Sequence, residues 1–194
     1  RSALAETGSG GGTVSSSDGQ NGSSAGSTDG TGSSAGSGQS GTGDTAQEAV
    51  CITISAAGDC TLGTDENFDQ STSFNAYFDQ NGAAYFFQNV KSIFDADDLT
   101  IVNMEGTLTE ETSRQDKTFA FKGNGSYAQV LSEGGVEAAN LANNHSHDYG
   151  DKSYTDTIAA LDAAGITNFG YDRTAVMDVN GVKVGLVGTY ELAE

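Results

Sequence analysis

Apolar positions along this chain fall into short runs with two different periods. In "AVCITISAAGD", residues 49–59, Val50, Ile52 and Ile54 alternate with other residues and small side chains follow, which predicts a buried strand ending at Asp59. The next stretch, "CTLGTDENFDQSTSFNAYFDQNG", reads as a polar loop. Period changes at "AAYFFQNVKSIF", where Phe86, Phe87, Val90, Ile93 and Phe94 recur at helical spacing and predict an amphipathic helix. "DLTIVNME" predicts a second strand running into Glu105, and "TFAFKG" a short third one. Ser126 followed by Gln129 has the form of a capping box and opens a helix through Leu131 that stops at Gly134 and Gly135. "VEAANLA" is the next strand. Tyr154, Ile158 and Leu161 mark one face of a helix from about Lys152 to Ala164, closed by Gly165. "AVMDVNGVKVGLVGTY" predicts two strands joined at Asn180-Gly181, a strong hairpin signal.

Strands alternating with helices predict an α/β fold with a central sheet covered on both faces. Composition restricts it to residues 49–194, one domain with enough chain for a sizeable core. Residues 1–48 are nearly all Gly, Ser, Thr, Ala and Gln and hold 13 of the 27 glycines. With so little apolar surface to offset the entropy of ordering, they are expected to form a disordered Gly/Ser-rich linker.

Charge narrows the function. The net charge is −19, and seven Lys and Arg face 22 acids outside the linker. Nucleic acid is thereby excluded, because displacing its counterions needs a basic stripe that this sequence lacks. An acidic domain handles an anionic partner when bound cations supply the positive charge. Cys51 and Cys60 flank a strand; nine steps at about 3.3 Å exceed the ~7 Å reach of a disulfide, so both are expected to be free thiols. A long flexible stalk with few cysteines suggests an exported bacterial protein whose domain stands off the cell surface, anchored through a segment upstream of Arg1.

The candidate chemistry gathers at strand ends. They supply Asp59, then Asn103 with Glu105, then Asn143, Asn144, His145, His147 and Asp148 from "LANNHSHDYG". In open α/β sheets ligands sit beyond the carboxyl ends of strands. Carboxylate and amide oxygens beside an imidazole suit a divalent cation such as Mn²⁺, Fe²⁺ or Zn²⁺.

"GDCTLG", "DLTIVNMEGTLT", "FKGNGSY" and "VEAANLANNHSHDYGDKSYTDTIAALDAAGI" together resemble the bacterial capsule-synthesis CapA family. That resemblance implies a metallophosphatase-like central sheet flanked by helices, here incomplete. It also implies a part in making poly-γ-glutamate or a related anionic envelope polymer, alongside membrane-bound capsule synthase subunits. By resemblance, Asp59, Glu105 and Asn144 are expected to hold two divalent metal ions, with Asn103 bracing Glu105 and His147 a further candidate ligand. His145 is expected to act as the acid near the leaving group, with Asp148 orienting a histidine. Where the phosphatase class has Asp-x-His, position 61 is Thr. Because later His-containing segments complete the metal shell in that family, residues 49–194 are expected to be inactive by themselves.

Other readings stand beside this one. The domain could be a non-catalytic scaffold in a polymer-synthesis complex. Asp65, Asn67 and Asp69 have calcium-loop spacing but lack the glycine and glutamate of an EF-hand, so their acids are read as solvated. Asn143 is read as a left-handed turn residue, and Cys60 as packing.

Overall fold

In the computed structural model, residues 49–191 are described. The predicted linker, residues 1–48, lies outside them. The central sheet has four parallel strands in the order β1 (Ile54–Cys60), β2 (Leu99–Met104), β5 (Ala138–Asn140) and β6 (Thr167–Phe169). A parallel pair, β3 (Thr107–Leu108) and β4 (Lys122–Gly123), forms a small second sheet, and β7 (Ala175–Val179) with β8 (Val182–Leu186) forms an antiparallel hairpin. The helices are α1 (Phe74–Asn81), α2 (Lys91–Phe94), α3 (Gln129–Gly134) and α4 (Asp151–Ala163). This is the expected α/β arrangement of a mostly parallel sheet flanked by helices.

Strand alternation divides the apolar residues between two clusters. Val102 and Met104 of β2 and Ala139 of β5 join the larger cluster with Leu131 of α3 and Leu161 of α4. Leu99, Ile101 and Ala138 point the other way and pack with Phe169, Val179 and Leu186, so the hairpin covers that face. Asn180 and Gly181, at φ of 51° and 83°, make the tight turn that "NG" predicts.

The structure corrects four local expectations. β1 begins at Ile54 and not near Val50, and Ile54 is 44% exposed, because among the described residues this strand pairs with β2 alone and forms a sheet edge. The "polar loop" contains α1, which Ser73 caps by accepting a hydrogen bond from the Ala76 amide. The helix expected at 83–94 breaks into a 3₁₀ turn at Ala83–Tyr85 and the single turn of α2. Aromatic packing overrides its periodicity, since Phe86 stacks on Phe74 with ring centres 4.2 Å apart while Ile93 is left exposed. The helix cap expected at Ser126 sits instead at Asn124, whose side chain accepts from the Ser126 amide.

The loop after β1 is pinned to β4. Thr64 and Lys122 exchange backbone hydrogen bonds at 3.1 Å. Glycine is required at this crossing: a Cβ on Gly63 would strike the Lys122 carbonyl, and one on Gly123 the Leu62 carbonyl. Asp65, read as solvated, is fully buried beneath the same loop. It accepts from the amides of Asn67 (2.9 Å) and Ala120 (2.7 Å) and from Arg114 (2.9 Å). Burial opposes its charge, but those two amides and the guanidinium outweigh it and lower the carboxyl to about 2. A calcium loop is ruled out here, since its first acid is committed to protein donors. Both cysteines are free, and Cys60 packs against the larger core, which pushes its thiol up to about 11.

Candidate active site at the strand ends

Parallel register brings the carboxyl ends of three strands level: Cys60 pairs with Met104, and Asn103 with Asn140. Just beyond them lies the loop 141–150, joining β5 to α4. Its shape follows from its own side chains. Asn143 accepts from the His145 amide at 2.9 Å, closing an Asx turn. The Ser146 hydroxyl donates to the Leu141 carbonyl, and Gly150, at φ 81°, admits the chain into α4. The turn holds His145 inward, 8% exposed, and His147 outward.

Three asparagines form an amide ladder under the site. The Asn103 carbonyl oxygen accepts from both Asn140 and Asn143, at 3.1 Å each. With that oxygen occupied, its NH₂ donates to Asp59 at 2.6 Å and lies 3.4 Å from Glu105. Asn103 thus braces two carboxylates from adjacent strand ends. Asn143, read from sequence as a left-handed turn, is instead a buried part of this brace; Tyr171 and Asn180 are the described non-glycine residues at positive φ.

Glu105 is the most perturbed acid in the cluster. Burial, then a hydrogen bond with Asp59, then the charges of Asp59 and Asp148 raise it to about 7, with Lys117 opposing. Two like charges side by side need a shared proton or a cation between them. The donor chemistry therefore fits a divalent cation at the Asp59–Glu105 edge. Among the described residues, no group of three or more His, Cys, Asp or Glu side chains is arranged to hold a metal ion.

His145 faces that pair. Its Nε2 is 3.5 Å from Glu105 Oε1, and its Nδ1 is 2.8 Å from Asp148 Oδ2. Asp148 is fully buried and also accepts from the Phe121 amide and from Lys117, at 2.6 Å each. A carboxylate so held fixes the orientation of the imidazole. The Phe121 ring lies 4.7 Å from that of His145 and screens it from one side.

The two other expected ligands, Asn144 and His147, are exposed. The backbone carbonyl of Asn144 accepts from Lys117 at 2.6 Å. His147 stacks on Tyr154, ring centres 4.6 Å apart, with Nδ1 3.2 Å from Asp151 of α4. Sequence reasoning missed Asn140, Lys117 and Phe121. Asn140 could have been found as the register partner of Asn103, and Phe121 lies in the "TFAFKG" segment predicted as a short strand; Lys117 arrives from a loop that carries no periodic signal.

The fold and site define a parallel α/β domain with a carboxylate, amide and imidazole cluster at its strand ends. Residues 53–193 match the family described as Bacterial capsule synthesis protein PGA_cap, and the chain belongs to that family. It is 31% identical over 120 residues to the PGA biosynthesis protein CapA of Bacillus subtilis (strain 168), covering 57% of this chain and 32% of that protein. Against the Capsule biosynthesis protein CapA of Bacillus anthracis it is 29% identical over 118 residues, covering 55% of this chain and 29% of that one. The matched stretch thus spans under a third of either relative.

Proposed function

We propose that this chain carries the strand-end part of a metal-dependent hydrolase site that works on an anionic envelope polymer during capsule synthesis at the cell surface. The observation that carries the reading is the Asp59–Glu105 pair facing a buried His145 whose other nitrogen is held by Asp148. The names of the two Bacillus relatives favour capsule and poly-γ-glutamate as its setting.

Asp59 and Glu105 would hold the cation, with Asn144, from the loop that carries His145, a further candidate ligand. A bound divalent ion there supplies Lewis acidity and lowers the pKa of a water toward about 7. The amide ladder keeps the two carboxylates in place. His145 offers Nε2 toward the same space, where an imidazole can deliver a proton to a departing oxygen or nitrogen. Asp148 holds the ring through Nδ1–H, so that Nε2 delivers a proton from the doubly protonated imidazolium, and Lys117 balances the buried Asp148 charge.

The test is Mn²⁺ and Zn²⁺ titration of the natural protein, with turnover measured on γ-linked glutamate oligomers and on simple phosphoesters. Binding abolished by Asp59→Asn, together with roughly 10²–10⁴-fold slower turnover in His145→Ala, is expected. Normal capsule formation by the His145→Ala protein without bound metal would replace this reading with a scaffold.

A further inference from the structure

Beside the strand-end cluster lies a cavity of about 380 Å³ that the chemistry above does not use. The two share a wall, because Phe121 lines the cavity and its ring stands 4.7 Å from His145. Thr61, two positions beyond Asp59, lines it as well.

The lining is specific in chemistry. Phe68, Phe74 and Phe121 present aromatic surface, and Phe68 is 47% exposed, an apolar ring left at the surface of a strongly acidic domain. Among the hydroxyls, those of Thr61 and Thr72 make no hydrogen bond among the described residues. Among the described residues Asp69 is the one charged lining residue, and its Oδ1 accepts from the Ser71 amide and hydroxyl. Among them no Lys or Arg lines the cavity.

Each feature excludes a ligand class. A carboxylate or phosphate would meet Asp69 with no cation to neutralise it. A purely aliphatic group would bury free hydroxyls without partners. A neutral ring bearing several hydroxyls satisfies both constraints, laying C–H faces on the aromatic rings and exchanging hydrogen bonds with Thr61, Thr72 and Asp69.

We propose that this cavity is a subsite for a neutral pyranose unit of a saccharide, held next to the Asp59–Glu105–His145 cluster. It does not depend on the hydrolytic reading, because occupancy is measured without turnover.

The experiment is an amide NMR titration of the full chain with three probes: maltotriose, chitotriose and a γ-linked glutamate trimer. At least one neutral saccharide is expected to shift the amides of Thr61, Phe68, Thr72 and Phe121, and the glutamate trimer to leave them in place. Thr72→Val and Phe68→Ala, both at exposed positions, should each weaken saccharide binding roughly fivefold to tenfold, the loss of one hydrogen bond or one ring contact. Thr72→Ser should keep the affinity, since it keeps the hydroxyl. Three results would each overturn the proposal: no saccharide shifting these amides at millimolar concentration, the glutamate trimer shifting them equally, or Thr72→Val binding as the parent does.

Discussion

Asp148→Ala removes the carboxylate that holds the His145 ring and ties Lys117 and the Phe121 amide to the site. The side chain is fully buried and accepts from Lys117 at 2.6 Å, Phe121 N at 2.6 Å and His145 Nδ1 at 2.8 Å. Lys117 is partly exposed, so solvent screens its share to about 1 kcal/mol. The Phe121 amide loses its acceptor in a half-buried setting, costing about 1–2 kcal/mol, and the imidazole contact contributes about 1 kcal/mol more. The expected loss is about 3–4 kcal/mol, in line with breaking a buried charged network. Asp148→Asn should cost about 2 kcal/mol, since the amide still accepts from one side but turns N–H toward another donor. Urea unfolding followed by circular dichroism measures both, with an unchanged slope showing that the midpoint shift is stability alone. A loss under about 1 kcal/mol for Asp148→Ala would refute the reasoning, because three hydrogen bonds to a buried carboxylate cannot vanish so cheaply.

Asp65 is lowered to about 2 when folded against an ordinary carboxyl near 3.9 when unfolded, so its stabilisation is complete above pH ~4 and is lost as pH falls toward 2. Acid unfolding should show that loss, and Asp65→Asn should flatten it while lowering stability at neutral pH. Glu105 is raised to about 7, so the folded state holds an extra proton between pH ~4.3 and 7 and its contribution weakens as pH rises through that window. Carboxyl NMR titration should show the high midpoint, and Asp59→Asn should bring it down. Leu131→Ala, at a side chain with no exposure in the larger core, should cost about 2–5 kcal/mol in urea unfolding. Gly123→Ala should separate the Thr64–Lys122 crossing, seen as loss of amide protection at Thr64.

Elements whose pattern and local chemistry agree were legible in the sequence: β2, α4 and the Asn180-Gly181 hairpin appear where their periods and turn residues put them. The 83–94 segment was not, because its helical spacing serves a cluster of rings built by α1 and Tyr127, and those contacts exist only in three dimensions. Asp65 misled for the same reason: the donors that bury it, Ala120 and Arg114, lie about fifty positions away. At the site, sequence placed Asp59, Asn103, Glu105, His145 and Asp148 at strand ends, where parallel register gathers them. The outward turns of Asn144 and His147 depend on the hydrogen bonds of Asn143 and Ser146, which no spacing rule specifies.

The account stands on Asp59 and Glu105 meeting beneath His145 closely enough to share one cation. Paramagnetic broadening by substoichiometric Mn²⁺ measures this directly on assigned amide and side-chain signals. It is predicted to fall first on Asp59, Asn103, Glu105 and His145 and to disappear from them in the Asp59→Asn, Glu105→Gln double variant. Broadening centred on the exposed acids near Asp95 and Asp98, or unchanged in the double variant, would contradict it.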